Sequence, residues 1–258
     1  MTGLQLSPAP GAAPLVRMVR SHAALEIRLL LRNGEQLVLA VALPLLVLVA
    51  GVEAGGLVDL GPGRRVDLLA PGVLALAVLS TSFTSLAIST GFERRYGVLK
   101  RLGATPLPRA GLLAGKGLAV LAVEVLQVVV IGTVALGLGW APAGGAIAVL
   151  GGVLALLLGT ACFASLGLAL AGSLRAEATL AVANLVYVLL LLGGAIVVPL
   201  ARYPDGVRPF VELLPSGALA QSVREVSAGG GLPLLCVVVL VGWTVAGAVL
   251  TVRTFRWE

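Results

Sequence analysis

Six stretches of the chain carry almost no charge over the roughly 20 residues a helix needs to cross a bilayer, and the polar residues gather in short blocks between them. The stretches cover residues 36–52, 68–91, 110–138, 144–172, 179–200 and 232–252. They are continuously apolar, which predicts helices; a membrane β-barrel alternates polar and apolar in strands of about ten residues. Pro44 lies inside the first stretch. Ahead of it, residues 14–33 read as an amphipathic helix. Arg17, Arg20, Ser21, Ala24, Arg28 and Arg32 share one face, while Leu15, Met18, Val19, Leu25, Leu29 and Leu30 cover the rest. Such a helix suits the membrane interface, with its arginines among headgroups, and Asn33-Gly34 ends it. A basic start before an apolar run is also the outline of a secretory signal, but this basic part exceeds thirty residues and further spans follow. Residues 1–13, MTGLQLSPAPGAA, are small and Pro/Gly-rich and read as a mobile tail. Residues 201–230 show helical periodicity in two short pieces, broken at Pro204, Pro209 and Pro215. They read as short interfacial helices on the extracytoplasmic side, dipping partway into the membrane.

Composition strengthens this picture. Of 258 residues 59% are hydrophobic and only 12% charged, about half the charged share of a soluble domain. The fold class expected is an all-α membrane protein: one transmembrane domain spanning residues 1–258, with an interfacial helix, six spans and short extracytoplasmic helices before the last span. The net charge of +6 is explained by its distribution. With the N-terminus in the cytoplasm, thirteen of the eighteen basic residues fall inside, including Arg17, Arg20, Arg28, Arg32, Lys116 and Arg175. Arg64, Arg65, Arg202, Arg208 and Arg224 fall outside. The positive-inside rule thus favours both termini in the cytoplasm, and no nucleic acid is needed to account for the charge. Cys162 and Cys236 sit within apolar runs and read as packing residues. Trp140 and Trp257 read as interface anchors, and His22 as an interfacial side chain.

One block between the second and third spans is denser than a loop requires: FERRYGVLKRLGATPLPR, Phe92 to Arg109, with five basic residues and one glutamate. Phe92, Tyr96, Leu99 and Leu102 recur at helical spacing, and Glu93, Arg94, Gly97, Lys100 and Arg101 occupy other faces. Thr105-Pro106-Leu107-Pro108 forces a turn. This predicts a short amphipathic helix, Phe92 to Leu102, at the inner edge of the membrane, its apolar knobs suited to a partner's groove. A charged hairpin loop obeying the positive-inside rule is the plainer alternative.

The block resembles the first cytoplasmic loop of type-2 ABC transporter permeases, the membrane subunits of ABC exporters. The likeness rests on the glutamate, the basic residues, the glycine, Arg101-Leu102 and the Thr105-Pro106 turn. Val98 departs from the small polar residue more usual there. The resemblance implies that Glu93, Arg94, Arg95, Gly97, Leu99, Lys100, Arg101, Leu102, Thr105 and Pro106, with Phe92 and Tyr96, couple this chain to an ABC ATPase present in two copies. It further implies a dimer with a second copy or a homologous permease, while the richness in glycine, alanine, leucine and arginine suggests a GC-rich bacterial genome and so a bacterial plasma membrane. No cofactor is expected on this chain; ATP and magnesium belong to the partner ATPase. In agreement, no GxxxxGK[ST] phosphate loop occurs. Gly111-Leu-Leu-Ala-Gly115-Lys116 has the wrong glycine spacing and no following Ser or Thr.

Glu124 is the one carboxylate deep in an expected span, and a charge there is costly enough to be a functional candidate. It is open to three readings: a translocation path, a structural hydrogen-bonding role, or proton coupling in an ion-driven secondary transporter. Ser82, Ser85 and Ser89 belong to a hydroxyl-rich run, Ser80–Ser85 followed by Ser89-Thr90. That run either lines a polar path or bonds to backbone and neighbouring helices. No metal-ligand cluster or catalytic triad is evident. Aromatic residues are only 4%, which tilts the expected substrate from polysaccharide toward a hydrophobic small molecule, such as a drug or antibiotic, or a lipid.

Overall fold

The computed structural model describes residues 11–32, 34–53 and 62–254. Most of the expected tail, the Asn33 break, Arg256 and Trp257 lie outside them. Among the described residues the chain is helical, and one isolated parallel bridge, Ala143 with Ala228, is the sole β pairing. The helices are α1 (Leu15–Arg32), α2 (Gly34–Glu53), α3 (Arg65–Val78), α4 (Leu86–Arg95), α5 (Val98–Gly103), α6 (Arg109–Gly137), α7 (Gly145–Ser173), α8 (Ala176–Gly193), α9 (Arg208–Glu212), α10 (Pro215–Ser227) and α11 (Leu234–Thr254). A π-helical turn, Leu79–Ser85, joins α3 to α4, making one continuous rod from Arg65 to Arg95.

Among the described residues five helices are long and apolar enough to cross a membrane: Arg65–Arg95, α6, α7, α8 and α11. The first expected span falls on α2, whose described apolar part, Ala40–Glu53, is shorter. The rod stands apart from the rest. Its span is 83% buried, against 22–39% for the others, so it forms the axis of the bundle and the other spans turn apolar faces outward. Leu69, Leu76, Leu79 and Phe83 from the rod meet Ile131, Phe163 and Leu219 in one core, where Phe83 and Phe163 pack edge to face, 6.5 Å between centroids. Helix α11 lies along α7, α1 along α6, and α10 wedges between α7 and α3.

Two boundaries differ from the hydropathy reading. The second span does not stop at Gly91 but continues through Arg95, so the root of the charged block belongs to the rod. The fifth, α8, ends at Gly193 instead of reaching Leu200. The segment after it leaves the helix with Ala195 at φ 56°. Its carbonyls are claimed by Arg224, which donates to Ala195 (2.6 Å), Ile196 (2.5 Å) and Leu68 (3.2 Å). Arg224 is buried, and burial lowers its pKa to about 10, leaving it charged at neutral pH. Gly72 makes room: a Cβ there would collide with the Ile196 carbonyl.

Candidate functional site

The charged block divides at Gly97. Helix α4 ends with Tyr96 and Gly97, whose N–H groups bond the carbonyls of Phe92 (2.9 Å) and Arg94 (3.0 Å). Gly97 adopts φ 69°, the left-handed geometry that closes a helix and that glycine takes without a Cβ penalty. Helix α5 then starts in a new direction. The single helix expected from Phe92 to Leu102 is therefore two, and the stripe of Phe92, Tyr96, Leu99 and Leu102 is not one face. Leu99 is buried within the chain and Leu102 half-buried, so neither is an outward knob. Tyr96 is exposed, stacked on Phe92 at 6.1 Å with the Arg95 guanidinium 5.9 Å over its ring. Beyond α5, Thr105 caps the turn, its hydroxyl donating to the Leu102 carbonyl at 2.6 Å.

The block's first three charges hold the chain's own helices. The Glu93 carboxylate pairs with Lys116 of α6 at 2.6 Å. Arg94 donates to the Gly172 carbonyl at 2.6 Å and to the Leu174 carbonyl, satisfying orphan groups at the C-terminus of α7. Arg95 pairs with Glu177 in the first turn of α8. The block thus has a root that clamps α6, α7 and α8, and a tip where Tyr96, Lys100, Arg101, Thr105 and Pro106 are exposed.

Lys116 is almost wholly buried and also meets Glu26 of α1 at 3.1 Å. The imidazole of His22 approaches Glu26 to 3.5 Å. Desolvation lowers the His22 pKa from its ordinary value, partly opposed by Glu26, so the ring is neutral at pH 7. Glu26 was not visible as a site residue in the sequence. Its signal is an acid three positions from the buried Ala23, on the stripe of α1 that packs on α6.

Glu124 lies elsewhere, at the centre of the bundle. The hydroxyls of Ser82 and Thr160 bond to its two oxygens, the latter at 2.6 Å. One turn on, Gln127 accepts from Thr81 at 2.9 Å and donates to the Ala40 carbonyl at 2.9 Å. The π-turn supplies both Thr81 and Ser82, so this polar layer ties the rod to α6, α7 and α2. Sequence reading singled out Glu124 and Ser82 but missed Thr160 and Gln127. Ser85 and Ser89 do not join the layer; they line an adjoining cavity, which Thr81 also reaches, with Glu26, Glu93 and Lys116. Of the serine run, Ser82 bonds to a neighbouring helix, while Ser89 both donates to the Leu86 carbonyl at 3.2 Å and lines the cavity.

The sequence profile of ABC-2 type transporters matches residues 21–228 of this multi-helix domain. The chain belongs to the ABC-2 type transporter family. Among curated proteins no match accompanies that of the family. The matched segment runs from α1 through α10, taking in the charged block, Glu124 and the Arg224 clamp. As an ABC-2 protein the chain is a multi-pass permease of an ABC transporter, a transport subunit and not itself the catalyst. Among the described residues no three His, Cys, Asp or Glu side chains gather as a metal site.

Proposed function

We propose that this chain is the membrane subunit of an ABC exporter, moving a hydrophobic or amphiphilic small molecule, or a lipid, out of the cytoplasm or inner leaflet. A separate ATPase, carrying ATP and magnesium, drives it; two ATPase copies serve a dimer of this chain or a pair with a homologous permease. Helix α2 completes a set of six spans, α1 lies at the inner interface, and both termini face the cytoplasm of a bacterium. The charged block is the coupling element. The observation that carries this reading is the block's division into an exposed tip and a clamped root. Force applied at Tyr96, Lys100 or Arg101 enters the rod, α6, α7 and α8 together, which biases one packing of the bundle against another. The buried Leu99 serves as the tip's anchor into the chain, and the docking contacts fall to Tyr96 and the basic residues.

The test is purification of the tagged chain from its native membrane in mild detergent, with mass spectrometry of its companions. A soluble ABC ATPase should accompany the wild type and be lost from Tyr96→Ala and Lys100→Glu variants that elute normally. If no ATPase accompanies an intact complex, or both variants retain it, the coupling role of the block is refuted.

A further inference from the structure

The cavity that holds Ser85 and Ser89 has a chemistry that selects a ligand. It is about 180 Å³ and lies between α1, α2, α4 and α6. One wall is a ridge of Thr81, Ser85, Ser89 and Glu93, each four residues from the next. Four-residue spacing places them on one face of the helix over about 18 Å at 1.5 Å per residue. The facing walls are apolar, with Leu29 and Leu30 from α1 and Val120 and Val123 from α6. One end is the ion cluster, where two carboxylates, Glu26 and Glu93, share the single ammonium of Lys116. The described lining thus sets two carboxylates against one ammonium.

The hydrogen-bond accounting points the same way. Thr81 spends its proton on Gln127 and Ser89 spends its own on the Leu86 carbonyl. Lys116 spends two N–H groups on Glu26 and Glu93. Thr81 and Ser89 are left to present lone pairs to the cavity, beside the two carboxylates at its end and the remaining N–H of Lys116. A slot with hydroxyl lone pairs along one wall and two carboxylates to one ammonium at its end, otherwise walled by leucine and valine, complements an apolar chain that ends in hydrogen-bond donors and a positive charge.

We propose that this slot binds the protonated amine of an amphiphile, with its head at Glu26 and Glu93 and its tail along the serine ridge. This rests on the permease reading and names its substrate class: cationic amphiphiles drawn from the inner leaflet. The amine has two sources, an aminolipid headgroup or a free amphiphilic amine, and the chemistry of the slot is the same for both.

The experiment uses the full chain in nanodiscs of phosphatidylcholine and phosphatidylglycerol, which lack a primary amine. A long-chain alkylamine carrying a diazirine is photolysed on it and the labelled peptides are mapped. Label should fall on residues 79–95 and 109–137. Dodecylamine should displace it at a concentration roughly tenfold lower than dodecanol, the discrimination expected of one hydrogen bond to a charged group. Ser89→Leu, which fills the slot and keeps its charges, should abolish labelling. Glu93→Gln should retain labelling but lose the preference for amine over alcohol; a normal chromatographic profile for either variant guards against misfolding. Equal displacement by amine and alcohol, label mapping elsewhere, or full labelling of folded Ser89→Leu would overturn the assignment. Repeating the assay with phosphatidylethanolamine in the disc supports a lipid source if labelling falls and a free amine if it does not. ATPase co-purification is read on the same preparation. Its presence with no slot labelling removes only this assignment, and its absence removes the coupling role on which transport depends.

Discussion

Removing Glu124 should cost the stability of one orphaned hydroxyl, not two. Ser82 and Thr160 both bond its carboxyl, but their positions differ. Thr160 has a second acceptor, the Leu156 carbonyl at 2.9 Å, to which its single proton can turn. Ser82 is fully buried and its one described acceptor is Glu124. Glu124→Leu therefore strands Ser82 alone, a loss of about 1–3 kcal/mol for an unsatisfied buried group. Glu124→Gln keeps an oxygen for Ser82 and should lose less than about 1 kcal/mol, in line with the modest worth of hydrogen bonds inside membranes. Adding Ser82→Ala to Glu124→Leu removes the stranded hydroxyl and should recover part of the loss, giving a coupling energy of about 1 kcal/mol. Unfolding in detergent, followed by denaturant titration of the four proteins of the cycle, measures this. If Glu124→Gln is as damaging as Glu124→Leu, the carboxyl acts through its charge and the hydrogen-bond reasoning fails; if the two changes simply add, Ser82 was never stranded.

Arg224→Lys keeps a charge but cannot span the three carbonyls that the guanidinium bridges. It should cost about 2–4 kcal/mol and open residues 194–207 to limited proteolysis, whereas unchanged resistance would show the clamp to be dispensable. At Gly97 a Cβ would meet nothing within 4 Å, so only its φ of 69° opposes a side chain. Gly97→Val should lose about 1–2 kcal/mol and Gly97→Asn distinctly less, read as melting temperatures; equal losses would point to a steric cause. Because burial lowers the pKa of His22 below its ordinary 6.5, the unfolded chain binds more protons just below that pH, and stability falls on acidification through it. Amide-exchange protection factors in α1 should therefore fall between about pH 7.5 and pH 5.5, and His22→Gln should remove that change; its persistence would refute His22 as the origin.

Hydropathy made the long apolar helices legible because bilayer thickness imposes a length on each one independently of its neighbours. The charged block was legible as a block for a similar reason, since its composition contrasts with everything around it. Its internal division was not. Counting Phe92, Tyr96, Leu99 and Leu102 assumes a helix unbroken through Gly97, and only the backbone shows that the glycine takes a positive φ. Likewise Arg224 reads in sequence as one more basic residue outside the membrane. Its role depends on carbonyls 28 and 29 residues away, released when α8 stops at Gly193. Glu124 was conspicuous as a lone acid, yet its partners Ser82 and Thr160 come from two other helices. Long-range partners of this kind leave no local period in the sequence, so the polar residues could be noticed but not paired.

The π-turn at Leu79–Ser85 has a consequence for which edits to the gene this protein can absorb. A π-turn holds one residue more than an α-helix would need over the same length. Deleting a single codon anywhere in the turn lets the rod wind as an unbroken α-helix, with the chain on either side still helical. Because the wider turn already absorbs the extra residue, the segments on either side keep nearly the facing they had, whereas the same deletion in an ordinary α-helix turns one half against the other by about 100°. The Glu93–Arg95 root would still meet Lys116, Gly172 and Glu177, and the loss would fall on Thr81 and Ser82, whose places in the turn shift relative to Gln127 and Glu124. A length change elsewhere in a helix is usually fatal to packing at once. Here the rod carries one short stretch where the gene can lose a codon without setting its two ends at odds.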